Sequence, residues 1–270
     1  MSDELAGRAY LVTGGGSGIG AAVAAALRSA GADVLVGGRR AEHLRRVAEA
    51  IGAAWCPADV TREADVASLV AAAREAFGRL DGVVSNAGVM TTGTVLDTEP
   101  AEWDRSLETN LRSAYLLARA AVPVLLDSGG GAFVTVSSIA GLRSSTGAAA
   151  YSTGKAALIA LTQSLAVDFA PRGLRANVVC PGWVRTEMAD AEMDEFAGPD
   201  GGRERAYSEV TALVPQRRPA AAAEVAEAVV WLCGPRSSYV NGAVLTVDGG
   251  TTLVDAGTVP FDFTVAPRQS

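Results

Sequence analysis

Histidine is almost missing from this sequence. His43 is the only one among 270 residues, which excludes a serine–histidine–aspartate triad and argues against a zinc site, so no metal is expected. Cysteine is scarce as well. Cys56, Cys180 and Cys233 are odd in number and far apart, and read as reduced, buried small residues of a cytoplasmic protein. Positive charge is short: 23 Lys+Arg stand against 30 Asp+Glu, a net charge of −7 without a basic block. Such a chain is a poor nucleic-acid binder. No apolar run approaches the ~18–20 residues of a membrane span, and the leading MSDELAGR has no apolar core of a signal peptide. What is plentiful is glycine, 30 residues, and a hydrophobic share of 49%. That suits one large globular domain over residues 1–250, with tightly packed helices and tight turns.

Residues 8–13 (RAYLVT) read as a short buried strand. It runs into TGGGSGIG at 13–20 and then an alanine-rich stretch at 21–30. Strand, glycine turn and helix form the context that a dinucleotide site requires. Gly14 permits the tight turn, Gly18 lets backbone approach a pyrophosphate, and Gly20 lets helix pack on strand. Gly16, Ser17 and Ile19 complete the candidate loop, whose helix N-terminus offers free N–H groups to phosphates. A second strand at 33–37 ends in Gly38, Arg39 and Arg40. An acidic residue at that strand end would bind the 2′-hydroxyl of NAD; none is present, and Arg39 is placed to pair with a 2′-phosphate, which favours NADP(H).

Further strands are expected at 53–56, from 82, at 131–138, 174–180 and 243–247, with helices between them at 63–77, 100–126, 148–169 and 221–232. Val66, Leu69, Val70, Ala73 and Phe77 recur at helical spacing. This alternation over the whole length implies a doubly wound, Rossmann-type α/β fold of about seven parallel strands with helices on both faces. The glycine loop, Asn86-Ala87-Gly88, Ser138 and Pro181-Gly182 all fall at expected strand ends, where an open α/β sheet binds its ligand.

Tyr151 and Lys155 are one helical turn apart. A free phenol, with a pKa of about 10, is a poor proton donor at neutral pH. An ammonium within ~4–6 Å favours the phenolate, which predicts a Tyr151 pKa drawn downward. A strand end and a facing helix can bring Ser138 and Tyr151 to one carbonyl oxygen. Asn110, inside the expected helix 100–126, must find partners if buried, and is expected to tie two backbones and to hold a water for Lys155.

With these motifs in this order, residues 8–250 resemble the short-chain dehydrogenase/reductase family, in its compact single-domain branch. The resemblance rests on TGGGSGIG, Asp59-Val60, Asn86-Ala87-Gly88, Asn110, Ser138, Tyr151 with Lys155, Pro181-Gly182, Thr186 and the final VDGG. It implies that Asp59 and Val60 flank an adenine ring, that Asn86 steadies the loop, and that Val184 and Thr186 hold a carboxamide. Lys155 would bind the nicotinamide ribose, Tyr151 would be the general acid in reduction, Ser138 would orient the carbonyl, and Asn110 would complete a proton relay. Two residues depart from the pattern. Ser17 stands where many NADP-using members carry a basic residue, and Ser85 where many have an Asn.

The resulting expectation is an NADP(H)-dependent oxidoreductase that interconverts a ketone and a secondary alcohol. Alternatives are an NAD-dependent alcohol dehydrogenase working oxidatively, and a non-catalytic protein that senses NADP(H). A sugar-nucleotide epimerase or dehydratase would have a tighter glycine spacing and a sizeable C-terminal substrate domain. Residues 89–95, 143–148 and an acidic lid at 187–213 should line the pocket, with the lid's charges on a solvated face and none aimed inward. An uncharged or bulky ketone would suit such a pocket. Members of the family are commonly tetramers, through the long helix and the next one. The apolar extension 251–270 is expected to pack on a neighbouring subunit.

Overall fold

The computed structural model describes residues 4–198 and 201–255. Its first half alternates β1 (Ala9–Thr13), α1 (Gly18–Ser29), β2 (Asp33–Gly38), α2 (Ala41–Ile51), β3 (Ala54–Pro57), α3 (Glu63–Phe77) and β4 (Gly82–Ser85). Then come α4 (Pro100–Leu107), α5 (Ser113–Asp127), β5 (Gly131–Val136), α6 (Ala149–Phe169) and β6 (Leu174–Pro181). The last part holds β7 (Val184–Arg185), α7 (Glu187–Ala197), α8 (Arg203–Val210), β8 (Ala220–Ala221), α9 (Ala222–Cys233) and β9 (Val244–Val247). Seven strands form one parallel sheet in the order β3-β2-β1-β4-β5-β6-β9. The chain leaves β1 toward β2 and β3 on one side and β4 onward on the other. The order therefore reverses between β1 and β4, which opens a crevice at their carboxyl ends.

The five inner strands are buried on both faces, as parallel sheets require, and the edge strands β3 and β9 are only partly so. Alternate residues therefore feed two cores. Tyr10, Val12, Val34 and Val36 meet Val23 and Leu27 of α1 and Val225 and Val229 of α9. Leu11, Leu35, Val83 and Phe133 meet Val66, Leu69 and Val70 of α3 and Leu117 and Leu125 of α5. The helical spacing read from 63–77 thus marks the face of α3 that the sheet covers. No helix of the described residues is long and apolar enough to cross a membrane.

Three findings depart from the sequence expectation. The helix from Pro100 is not uniform: a π-helical turn, Glu108–Arg112, joins α4 to α5 and contains Asn110. An extra residue in one turn changes which side chains face inward, and a 3.6-residue period does not register it. Residues 187–213 do not carry their charges only on a solvated face. Helices α7 and α8 pack Met193 against Tyr207 in a small core of their own. Across it, the Tyr207 hydroxyl donates to Asp190 (2.8 Å), and Arg203 pairs with Asp190 and Asp194. The two-residue strands β7 and β8, paired in parallel at the root of this hairpin, are too short to announce themselves in sequence. Most of the 251–270 extension lies outside the described residues.

Asp81 anchors the amino edge of the sheet. Its carboxylate accepts from Ala9 N (2.9 Å) and from Nε and Nη2 of the Arg79 guanidinium (2.7 and 2.6 Å), and the residue is only 8% exposed. Replacing it strands the Ala9 amide inside the protein. Asp81→Ala is expected to cost about 2–3 kcal/mol in urea unfolding. Asp33→Ala, which removes a solvent-facing ion pair with Arg28, should cost less than about 1 kcal/mol.

Candidate active site

The crevice between β1 and β4 is closed at its base by a knot of backbone and amide groups. Thr13 ends β1, and its hydroxyl donates to Val84 O (3.3 Å) while accepting from the amides of Asn86 (3.1 Å) and Ala87 (3.3 Å). The Asn86 side chain returns the tie, donating to Thr13 O (3.1 Å) and Gly14 O (3.3 Å). Gly20 sits against this knot. A Cβ there would lie 2.3 Å from Gly14 O and 2.5 Å from Asn86 Nδ2, so no side chain fits. Gly14 itself turns with φ +65°. Ser17 caps α1 without a side-chain hydrogen bond, leaving the first-turn amides of the helix to the cleft.

Above the knot lies a cleft of about 630 Å³. Gly14, Gly16, Ser17, Gly18 and Ile19 line its floor. Arg39, Arg40 and Val60 form one end, and Asn86, Ala87 and Gly88 follow along β4. Tyr151, Lys155 and Thr186 line the cleft as well. An elongated cleft with a glycine floor, free helix amides and cations at one end fits a dinucleotide, with phosphates over α1.

Asp59, Pro181, Gly182 and Val184 stand outside the lining. The Asp59 carboxylate is used within its own turn, accepting from Thr61 N (3.0 Å) and Thr61 Oγ1 (2.9 Å). Gly182 N bonds Val247 O (3.0 Å) and a Cβ on it would press on Asp248, so Pro181-Gly182 joins β6 to the segment after β9. Val184 is buried in β7. Thr186 has two uses: its hydroxyl caps α7 by accepting from Ala189 N (3.2 Å), and its methyl packs over Gly18.

The chemical groups converge on the wall formed by β5 and α6. Lys155 is 4% exposed, and its ammonium donates to Val136 O (3.2 Å) at the end of β5. The same Nζ lies 5.6 Å from the centre of the Tyr151 ring. Ser137 Oγ donates to Lys155 O (2.7 Å), which clamps α6 onto the strand end. The Ser138 hydroxyl accepts from Ala140 N (3.1 Å) and bonds toward the Tyr151 phenol, favouring its ionised form. Asn110, carried by the π-turn, holds Val89 from both sides, accepting from its N–H and donating to its carbonyl (3.0 Å each). A Cβ on Gly88 would lie 2.8 Å from Asn110 Oδ1 and 3.4 Å from Lys155 Nζ, so these groups meet in one place.

The electrostatics correct the sequence expectation. Burial pushes the Tyr151 phenol above its ordinary value, outweighing the Ser138 hydrogen bond that favours ionisation. Burial also pulls the Lys155 ammonium down, to about 8. Both groups lose water at the strand end, and each loses stability in its charged form. A second correction concerns the lid. Glu192 on α7 is half-buried, desolvation raises its carboxyl first and Glu195 adds to this, and its charge acts on Tyr151. Sequence spacing does not show which face α7 turns inward, so this carboxyl was not expected near the phenol.

Glu187 and Met188, at the start of the expected lid 187–213, line the cleft. Ser137 and Thr109 line it too and went unread. Arg40 was visible beside Arg39, but its partners were not: it donates to Ser17 Oγ (2.8 Å) and Glu187 Oε2 (3.0 Å).

The comparisons with known proteins agree with this architecture. A 2-(R)-hydroxypropyl-CoM dehydrogenase of Xanthobacter autotrophicus is 38% identical, covering 92% of this chain and 99% of that protein. A 2-(S)-hydroxypropyl-CoM dehydrogenase of the same organism is 35% identical, covering 94% and 100%. Among solved structures, levodione reductase superposes with a TM-score of 0.89 at 30% identity, covering 93% of this chain and all of that one. Actinorhodin polyketide ketoreductase with NADPH gives 0.87 at 32% identity, covering 93% and 98%. A family model described as enoyl-(acyl carrier protein) reductase matches residues 14–252. With the parallel sheet, the glycine floor and the Ser138–Tyr151–Lys155 wall, these matches place the chain in the short-chain dehydrogenase/reductase family of oxidoreductases.

Proposed function

We propose that the protein is an NADP(H)-dependent reductase of an uncharged ketone, running reversibly to the secondary alcohol. One observation carries the reading: the Tyr151 phenol, the Lys155 ammonium and the Ser138 hydroxyl converge at the wall of the cleft whose floor is the glycine loop. In the bound state the loop 14–20 and the α1 amides hold the pyrophosphate, Val60 flanks the adenine, and Arg39 meets the 2′-phosphate. Thr186, with Val184 behind it, positions the carboxamide. When bound, a reduced nicotinamide supplies the hydride to the carbonyl carbon. The chain supplies position and the proton.

A raised phenol pKa keeps the proton on Tyr151 at neutral pH, which is the form that gives a proton to a carbonyl oxygen. Ser138 orients that oxygen by donating to it. Lys155 holds the ribose and, with Asn110 fixing the Val89 backbone, restores the phenol's proton. A half-buried carboxyl at Glu192 facing the phenol disfavours an anionic substrate, which supports an uncharged ketone. An NAD-linked dehydrogenase working oxidatively draws support from one fact, that Arg40 is already held by Glu187. Binding alone, as in a cofactor sensor, needs no proton donor. Assembly as a cytoplasmic homotetramer completes the reading, and Tyr115 of α5 and Val167 of α6 are exposed.

Three outcomes are expected. Tyr151→Phe should bind NADPH normally and lose roughly 10²–10⁴ in kcat; unimpaired turnover would refute the mechanism. Arg39→Asp should reverse the preference toward NADH in paired Kd measurements, and an unchanged ratio would show that the phosphate lies elsewhere. Lys155→Met should abolish turnover and stabilise the cofactor-free protein at pH 7. A folded-state pKa of about 8, against 10.5 unfolded, means the unfolded chain binds more protons between those values. The native lysine therefore costs up to about 3 kcal/mol below pH 8, and the cost shrinks as pH rises toward 10.5. The variant's gain in Tm over wild type should follow the same course, and a gain that grew with pH would contradict it.

A further inference from the structure

One corner of the cleft is more crowded than the proposed reaction requires. Arg39 and Arg40 follow β2, where an open α/β sheet meets the adenosine ribose. No hydrogen bond or ion pair holds Arg39 among the described residues. Arg40 is held twice, by Ser17 of the glycine loop and by Glu187, the first residue of α7. The other carboxylate oxygen of Glu187 lies 4.0 Å from His43 Nδ1. That nitrogen is buried and has no hydrogen-bond partner. His43 also packs on the floor, since a Cβ on Gly16 would lie 3.2 Å from the His43 Cβ. Two guanidinium groups thus stand at the ribose end, and a single carboxylate from the opposite rim holds one of them, Arg40, and reaches toward the buried imidazole behind it.

A bound dianion would need the same donors. Arg40 and Glu187 are both about half exposed (56% and 51%), so their pair is weak, roughly 0.2–1 kcal/mol. A phosphate that makes a bidentate contact can displace it, but binding is weakened by whatever the pair contributed. NAD has no phosphate at that ribose and incurs no such loss. Ser17 sharpens the argument: a neutral hydroxyl stands where a cation would otherwise supplement Arg39, so the chain has no other basic group in the glycine loop to recruit.

We propose that Glu187 is a specificity-determining residue for the cofactor, which withholds Arg40 from the ribose 2′-phosphate and so narrows the preference for NADP(H) over NAD(H). This deepens the cofactor reading above and rests on its assignment of the 2′-phosphate to this corner. Removing the carboxylate while keeping its shape frees Arg40 for the phosphate. The gain should appear in NADPH binding and not in NADH binding, because only the former carries the extra dianion.

The test is equilibrium binding of NADPH and NADH, followed by isothermal titration and quenching of tryptophan fluorescence. The proteins are wild type, Glu187→Gln, Arg40→Ala and the double variant. In Glu187→Gln the ratio of the NADH to the NADPH dissociation constant should rise, by up to roughly fivefold. In the Arg40→Ala background the same substitution should leave the ratio unchanged. Equal shifts for both cofactors, or a ratio change that persists without Arg40, would overturn the proposal. Failure of the underlying reading looks different: wild type would bind NADH more tightly than NADPH. The direction of the Glu187→Gln shift still decides the role of Glu187 in that case.

Discussion

A lysine buried at the edge of a parallel sheet is the constraint on which the site depends. Lys155 has lost its water and keeps one carbonyl, Val136 O, as a hydrogen-bond acceptor. No carboxylate among the described residues neutralises it at close range, so its charge is destabilised and its pKa falls to about 8. A fold tolerates such a group only where surrounding packing is firm enough to hold it. Here that packing is the clamp of α6 on β5 through Ser137, with Asn110 and Gly88 closing the far side. The cation is therefore fixed in position beside Tyr151, poorly hydrated, and ready to interact with whatever polar group enters the cleft.

The glycine floor obeys a complementary constraint. The Lys155 wall demands bulk and packing, whereas the floor demands the absence of side chains. Gly20 is excluded from bearing a Cβ by Gly14 O and by Asn86, and Asn86 in turn is held by the end of β1. The knot that binds β1 to β4 is thus the same set of atoms that keeps the α1 amides open. Strand pairing and ligand access share hydrogen bonds, so a change at Thr13 or Asn86 would disturb both.

The rim opposite the floor is built differently. Helices α7 and α8 bury little against the main sheet and rely on their own small core and on ion pairs such as Arg185–Glu204 and Arg203–Asp194. Among the described residues, their links to the glycine loop and to α2 are slight: Thr186 over Gly18, and Glu187 on Arg40 and 4.0 Å from His43. A unit with internal cohesion and weak external ties is suited to move as one body. It carries Glu192, whose charge reaches the phenol, so its position bears on the electrostatics of the wall.

Much of this molecule was legible before any coordinates. The order and type of the seven sheet strands and of most helices that cover them were determined by sequence alone, because a strand covered on both faces and a helix covered on one each write their period in neighbouring residues. Tyr151 and Lys155 were legible for the same reason, being a single turn apart. The knot at Gly14, Gly20 and Asn86 was half legible: the glycines announce a close approach, but not what approaches. The π-turn at Asn110 was hidden, since one extra residue breaks the period that would reveal it. Tertiary structure alone decided the protonation of the wall, because the spacing of Tyr151 and Lys155 states their attraction and says nothing of the water both have lost. It alone decided that Arg40 is claimed by Glu187, 147 residues away, and that Glu192 turns inward. Desolvation and through-space pairing depend on what the fold brings near, and distance along the chain does not encode that.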